Sequence, residues 1–234
     1  LARPILNPGQ PLTGNGPIVI AIDDGWAAAR NWSDRQSQLA ALIDHAEREA
    51  RPVVLITTAP VVSQKARNIL GPIDASGMRE RVLGLAPKPW PVERRAVLAD
   101  VAQLQLVGSA DVWWLSDGLD DGAARDFATH LRRLGAVTTI EDAAERRARL
   151  MLPPIAETSG LVVRAMRAMP DAAEAIEVRG VAEDGRILLR EPLRFQAGEA
   201  TASNTLNLPA EIRNQLVRFE IEGEASAGAV VLSD

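Results

Sequence analysis

Five consecutive apolar residues, Ile18 to Ile22, run straight into Asp23, Asp24, Gly25 and Trp26. A run rich in β-branched side chains, with no polar alternation, has no water-facing side. It reads as a strand buried on both faces, as in the middle of a parallel sheet. Open sheets of that kind place their ligand crevice beyond the carboxyl ends of the strands, which is where the two acids fall. Asp111 to Gly118, DVWWLSDG, has the same design, an apolar run closed by an acid and a glycine. Two such strand ends on one sheet edge form the candidate site.

The chain around them alternates. Residues 1–16 are rich in Pro, Gly and Asn and read as a linker. Ser33 with Asp34 suits the start of a helix to about Ala50, whose Leu39, Leu42, Ile43 and Ala46 make one apolar stripe. Pro52 to Thr58 is a second buried strand, completing a β-α-β unit. Helices are expected around Ser63 to Leu70 and Ala75 to Leu83. Pro87, Pro89 and Pro91 enforce an extended segment around Trp90, and a helix follows from Val92 to Gln105. After strand 111–116 come a helix to Leu134, a stop at Gly135, a strand over Ala136 to Ile140 and a helix from Glu141 to Leu150.

From Pro153 the helical period gives way to short alternating stretches separated by turn residues such as Glu183-Asp184-Gly185. Leu161 to Met166, Ala175 to Val181, Arg186 to Arg190, Leu193 to Phe195, Ala200 to Leu206, Val217 to Glu222 and Ala229 to Leu232 read as strands, with a helical turn near Pro209 to Asn214. Phe195, Leu206, Phe219, Ile221 and Val231 are the expected filling of a small β-sandwich. The reading is an α/β domain over 17–152, doubly wound on a mostly parallel sheet, and an all-β domain over 153–234.

Composition narrows the function. A net charge of -5 gives no basic surface for nucleic acid. Without cysteine there is neither disulfide nor thiolate metal site. No apolar run is long enough to span a bilayer. The chain starts at Leu1 rather than Met, which suggests a piece of a longer protein. His45 and His130, the only histidines, sit in expected helices and read as ordinary helix residues rather than general bases. No nucleophile elbow, phosphate-binding loop or zinc-protease motif occurs.

An acid at the first strand end and an S-D-G turn after a later strand, in this order of elements, resemble a von Willebrand factor A domain. The family's metal site uses a D-x-S-x-S turn, a threonine in a later loop and a T-D-G turn. On that resemblance Asp23 and Asp117 keep the acids, Gly25 and Ala27 stand where the serines would, and Pro89 to Val92 holds no Thr or Ser. Two readings follow. Asp23, Asp24 and Asp117 hold a weakened Mg²⁺ site, or they order their own turns by local hydrogen bonds with no metal.

A narrower likeness covers nearly the whole chain, from LARPILNP through VIAIDDGW and WWLSDG to LPAEIRNQLVRFEIEGEASAGAVVL. It is to bacterial membrane proteins that begin with a double transmembrane region similar to BatA. The resemblance implies a membrane anchor ahead of this chain and a place on the periplasmic face of the inner membrane, with the cytoplasm as the alternative. It also implies a protein partner, in a complex with a MoxR-type AAA+ ATPase.

All five tryptophans lie in the first domain. Trp26 and Trp90 are expected on the strand-end face, either as a protein-binding hot spot or as a plug in the metal's place. The expected function is therefore a non-catalytic protein-binding module, its surface formed by Asp23, Asp24, Trp26, Trp90 and Asp117. The alternative is a metal-dependent ligand-binding or hydrolytic domain using Asp23 and Asp117. In a pure binding module, Asp23→Ala is expected to leave the fold intact.

Overall fold

The computed structural model describes residues 14–62, 67–143, 146–170 and 172–233. The linker expected at the start of the chain lies mostly outside them. Strand β1 (Ile18–Ile22) is the centre of a five-stranded sheet. It pairs in parallel with β2 (Val53–Thr57) on one side and β4 (Ala110–Ser116) on the other. Beyond β2 lies β3 (Ile69–Ile73), antiparallel, and beyond β4 lies β5 (Gly135–Glu141), parallel.

Every residue of β1, β2 and β4 is buried, because helices cover both faces of the sheet. Helices α1 (Trp32–Arg48) and α2 (Ala75–Leu83) pack on Ile18, Ile20, Ile22 and Trp113. Helices α3 (Arg94–Gln103) and α4 (Ala124–Leu134) pack on Val19, Ala21, Val112 and Trp114. Strand alternation thus sends the two adjacent tryptophans of β4 into opposite cores. The expected apolar stripe of α1 is buried throughout.

At the amino end of the sheet, Arg51 ties the incoming chain to the core. Its Nε donates to the Gly16 carbonyl at 2.7 Å, and its Nη1 reaches Asp111 at 2.6 Å. Backbone bonds from Gly16 to Ser109 and from Ile18 to Pro52 complete the attachment.

The first unit runs to Asp142, and a second begins at Ala143. The second unit has two antiparallel sheets. One contains β6 (Arg149–Glu157), β7 (Gly160–Arg167) and β10 (Thr201–Leu206), in the order β10-β7-β6. The other contains β8 (Glu174–Ala182), β9 (Ile187–Phe195), β11 (Leu216–Ile221) and β12 (Val230–Leu232), in the order β12-β11-β8-β9. Phe195, Leu206, Phe219 and Ile221 fill one core shared by both sheets, with Val231 packed against it.

Several expectations are corrected. The division falls near residue 142, not at Pro153-Pro154, because both prolines lie inside β6. They sit where its pairing with β7 shifts register, on an edge strand, the setting in which a sheet accommodates proline. No helix spans 141–150 among the described residues. Glu141 ends β5, and Arg149 and Leu150 begin β6. The expected helix at 63–70 lies partly outside the described residues, and its last two, Ile69 and Leu70, belong to β3. The two strands expected over Arg186 to Arg190 and Leu193 to Phe195 are one, β9, which starts at Ile187.

Candidate functional site

Register decides what meets at the carboxyl edge. Ile22 is level with Thr57 and with Leu115, so Asp23, Thr58 and the Ser116-Asp117 turn leave the sheet side by side. The loop preceding α3 closes over them. Lys88 N donates to the Asp24 carbonyl at 2.8 Å, Trp26 N to the Trp90 carbonyl at 3.1 Å, and Glu93 N to the Thr58 carbonyl at 2.9 Å. Gly25 permits this approach, since a Cβ there would lie 3.0 Å from the Trp90 oxygen and the Val92 nitrogen.

The loop delivers Arg94, a fully buried side chain, into the centre of the acids. Its Nη2 lies 2.7 Å from Asp23 Oδ2 and 2.7 Å from Asp117 Oδ1. Its Nη1 donates to the Leu119 carbonyl at 3.0 Å and pairs with Asp121 Oδ1 at 3.0 Å. The guanidinium carbon stands 5.6 Å from the Trp114 ring centre. Arg94 is also the first residue of α3, where a cation opposes the helix dipole. Asp121 offsets this by accepting the Arg94 backbone N–H at 2.9 Å, acting as a cap from outside the helix.

Asp23 accepts four hydrogen bonds. Thr58 Oγ1 donates to its Oδ1 at 2.7 Å, while Arg94, Trp114 Nε1 (3.1 Å) and Asp117 N (3.1 Å) converge on its Oδ2. Both oxygens are thus engaged, with three donors on Oδ2 and one on Oδ1. Asp117 also caps its own turn through Leu119 N at 3.0 Å. Burial and the nearby charge of Asp23 push its carboxyl up to about 6, against the pull of Arg94. Burial alone would lower the Arg94 guanidinium, but Asp23, Asp117 and Asp121 together hold it above its ordinary value. Asp24 faces away from this centre's cation; its Oδ1 accepts Ala59 N at 2.9 Å and its Oδ2 meets Lys88 Nζ.

A second buried arginine holds the other side of the β4 end. Arg35 donates to the Leu115 and Ser116 carbonyls at 3.1 and 2.7 Å and to Asp142 at 2.6 Å.

The structure brings Asp23 and Asp117 together, as the sequence predicts, but not as a surface. Asp23 and Asp24 have no exposure and Asp117 only 3 %. The expectation that the three acids face a partner is corrected; of the five residues, only Trp26 and Trp90 are half-buried rather than buried. Trp90 Nε1 is fixed on the Pro60 carbonyl at 3.0 Å. His45 packs beside Glu49, and His130 Nδ1 lies 2.9 Å from the Asp126 carbonyl, each on its own helix. Sequence reasoning missed Arg94, Thr58, Asp121, Trp114 and Lys88. For Arg94 a signal existed: two arginines open a helix at its positive end, an arrangement that needs acids nearby.

With four donors on Asp23, an Asp23→Ala change is expected to lower the stability of the fold. That change leaves Trp114 Nε1 without its acceptor and takes one carboxylate from Arg94, which keeps Asp117, Asp121 and the Leu119 carbonyl. Comparisons with known protein families, with curated proteins and with solved structures found no match.

Proposed function

We propose that this chain is a non-catalytic protein-binding module, its α/β unit of the von Willebrand factor A kind and its second unit a β-sandwich. It belongs to a membrane-anchored bacterial protein, on the periplasmic face, and works in a complex with a MoxR-type AAA+ ATPase. One observation carries the reading. The strand-end acids are consumed inside the fold by Arg94, whereas Trp26 and Trp90 stand together at its rim. Beside them Pro60 leads to Val62, which is 81 % exposed.

Hydrolysis by the same acids is disfavoured, since a general base needs a carboxylate within reach of a bound water and substrate. Asp117 has a raised pKa, yet the cause is a buried ion cluster, and structural clusters perturb pKa values as catalytic ones do.

The test uses Val62→Glu, on a side chain with little burial to lose, and Trp90→Ala. The affinity of the membrane-anchored protein, solubilised in detergent, for the complex that contains the MoxR-type ATPase should weaken about tenfold or more in each, or roughly 1.4 kcal/mol. The Val62→Glu melting temperature should stay at the wild-type value. Unchanged affinity in both variants, or no binding by the wild type, overturns the reading.

A further inference from the structure

The family resemblance implies Mg²⁺ between the strand-end acids, and the residues present do not fit one. Mg²⁺ requires six oxygens in near-octahedral array at about 2.0–2.1 Å. Here the point between Asp23 Oδ2 and Asp117 Oδ1 is held by a nitrogen, 2.7 Å from each. The hydroxyl nearest the acids, Thr58 Oγ1, points its proton at Asp23. Gly25 and Ala27 add no oxygen from their side chains. Among the described residues, no group of three or more His, Cys, Asp or Glu is arranged to hold a metal ion.

We infer that Arg94 is the resident cation of this centre, its guanidinium standing where a divalent ion would stand, so that the strand-end edge is assembled without metal. The charge pattern supports this. One guanidinium faces Asp23, Asp117 and Asp121, a carboxylate set that would repel itself if no cation lay within it. The covalent tether supports it as well. A cation carried by the chain is present at fixed stoichiometry and cannot be diluted or chelated. Its delivery by the loop before α3 couples that loop to the ends of β1 and β4. The inference does not depend on what binds the tryptophan-bearing rim.

The test is made on the full chain with Mn²⁺, Mg²⁺ and guanidinium chloride as probes. Wild-type protein should show no saturable Mn²⁺ binding by electron paramagnetic resonance. Its melting temperature should be the same in EDTA as in millimolar Mg²⁺. Arg94→Ala should melt several degrees lower in EDTA, and millimolar guanidinium or Mn²⁺ should return part of that loss. The rescue should vanish when Asp117→Asn is added. Arg94→Lys, which keeps the charge, should fold and remain insensitive to metal, covering the case in which Arg94→Ala does not fold. Saturable Mn²⁺ binding by the wild type that Asp117→Asn removes would overturn the inference. So would a folded Arg94→Ala that responds to neither cation, or an Arg94→Lys that binds Mn²⁺.

Discussion

Asp23 and Asp117 share one guanidinium nitrogen, and the charge on one raises the proton affinity of the other. The consequence is a pH dependence with a definite sign. The Asp117 carboxyl titrates near 3.8 in the unfolded chain and near about 6 in the fold, so between these values the folded state keeps a proton that the unfolded state has released. Its contribution to stability is complete below pH 3.8 and is lost as pH rises through about 6. The loss amounts to about 3 kcal/mol at 1.36 kcal/mol per unit. Asp121, held below its ordinary value despite partial burial by the Arg94 and Ala123 N–H groups, acts in the opposite sense and only in more acid solution. Urea unfolding across this range should therefore show a decline that Asp117→Asn flattens; parallel curves for the two proteins would refute the assignment. The two acids were legible in the sequence because each closes an apolar run. Arg94 was legible only in part: arginines at a helix's positive end ask for acids nearby, but in Glu93-Arg94-Arg95 nothing tells which one meets a buried carboxylate.

Elements with a strong period were legible, and those defined by their neighbours were not. β1, β2 and β4 announce themselves because burial on two faces leaves an apolar run with polar residues only near its ends, at Thr57, Asp111 and Ser116. β3 and β6 hide because edge strands tolerate glycine, proline and charge, so ILGPI and RLMLPPIAE carry no clean alternation. Gly135 shows a correct position with a different cause. The expected role was to end α4 in a left-handed turn, but its backbone is extended, with φ of 161°. What requires glycine is contact: a Cβ there would come within 1.8 Å of the Ala110 carbonyl oxygen. Gly135→Ala must therefore push β5 off the start of β4. The expected cost is at the top of the overpacking range, about 3 kcal/mol or more. Thermal unfolding alongside Gly84→Ala, where φ is -81° and a Cβ would meet nothing closer than 3.5 Å, separates crowding from a general loss of glycine freedom.

For the molecule as a whole, the boundary near Asp142 makes a sharp prediction about dissection. A chain ending after Asp142 keeps the Arg35–Asp142 pair at 2.6 Å, whereas one ending after Glu141 leaves a buried arginine with carbonyl partners only. The longer fragment should unfold cooperatively in urea, and the shorter should be less stable by about 2 kcal/mol, the range for a hydrogen bond to a charged group. Equal stabilities would mean that Asp142 contributes nothing to the α/β unit. The Arg51 attachment at the opposite edge carries a mechanical consequence. Tension applied to the chain ahead of Gly14 reaches β1 along its length, between two parallel neighbours. The strand cannot be unzipped one hydrogen bond at a time; its bonds to β2 and β4 must slide together, after the Arg51 clamp on Gly16 and Pro17 gives way. A tether pulled from that end would load both strand pairings of β1 in shear.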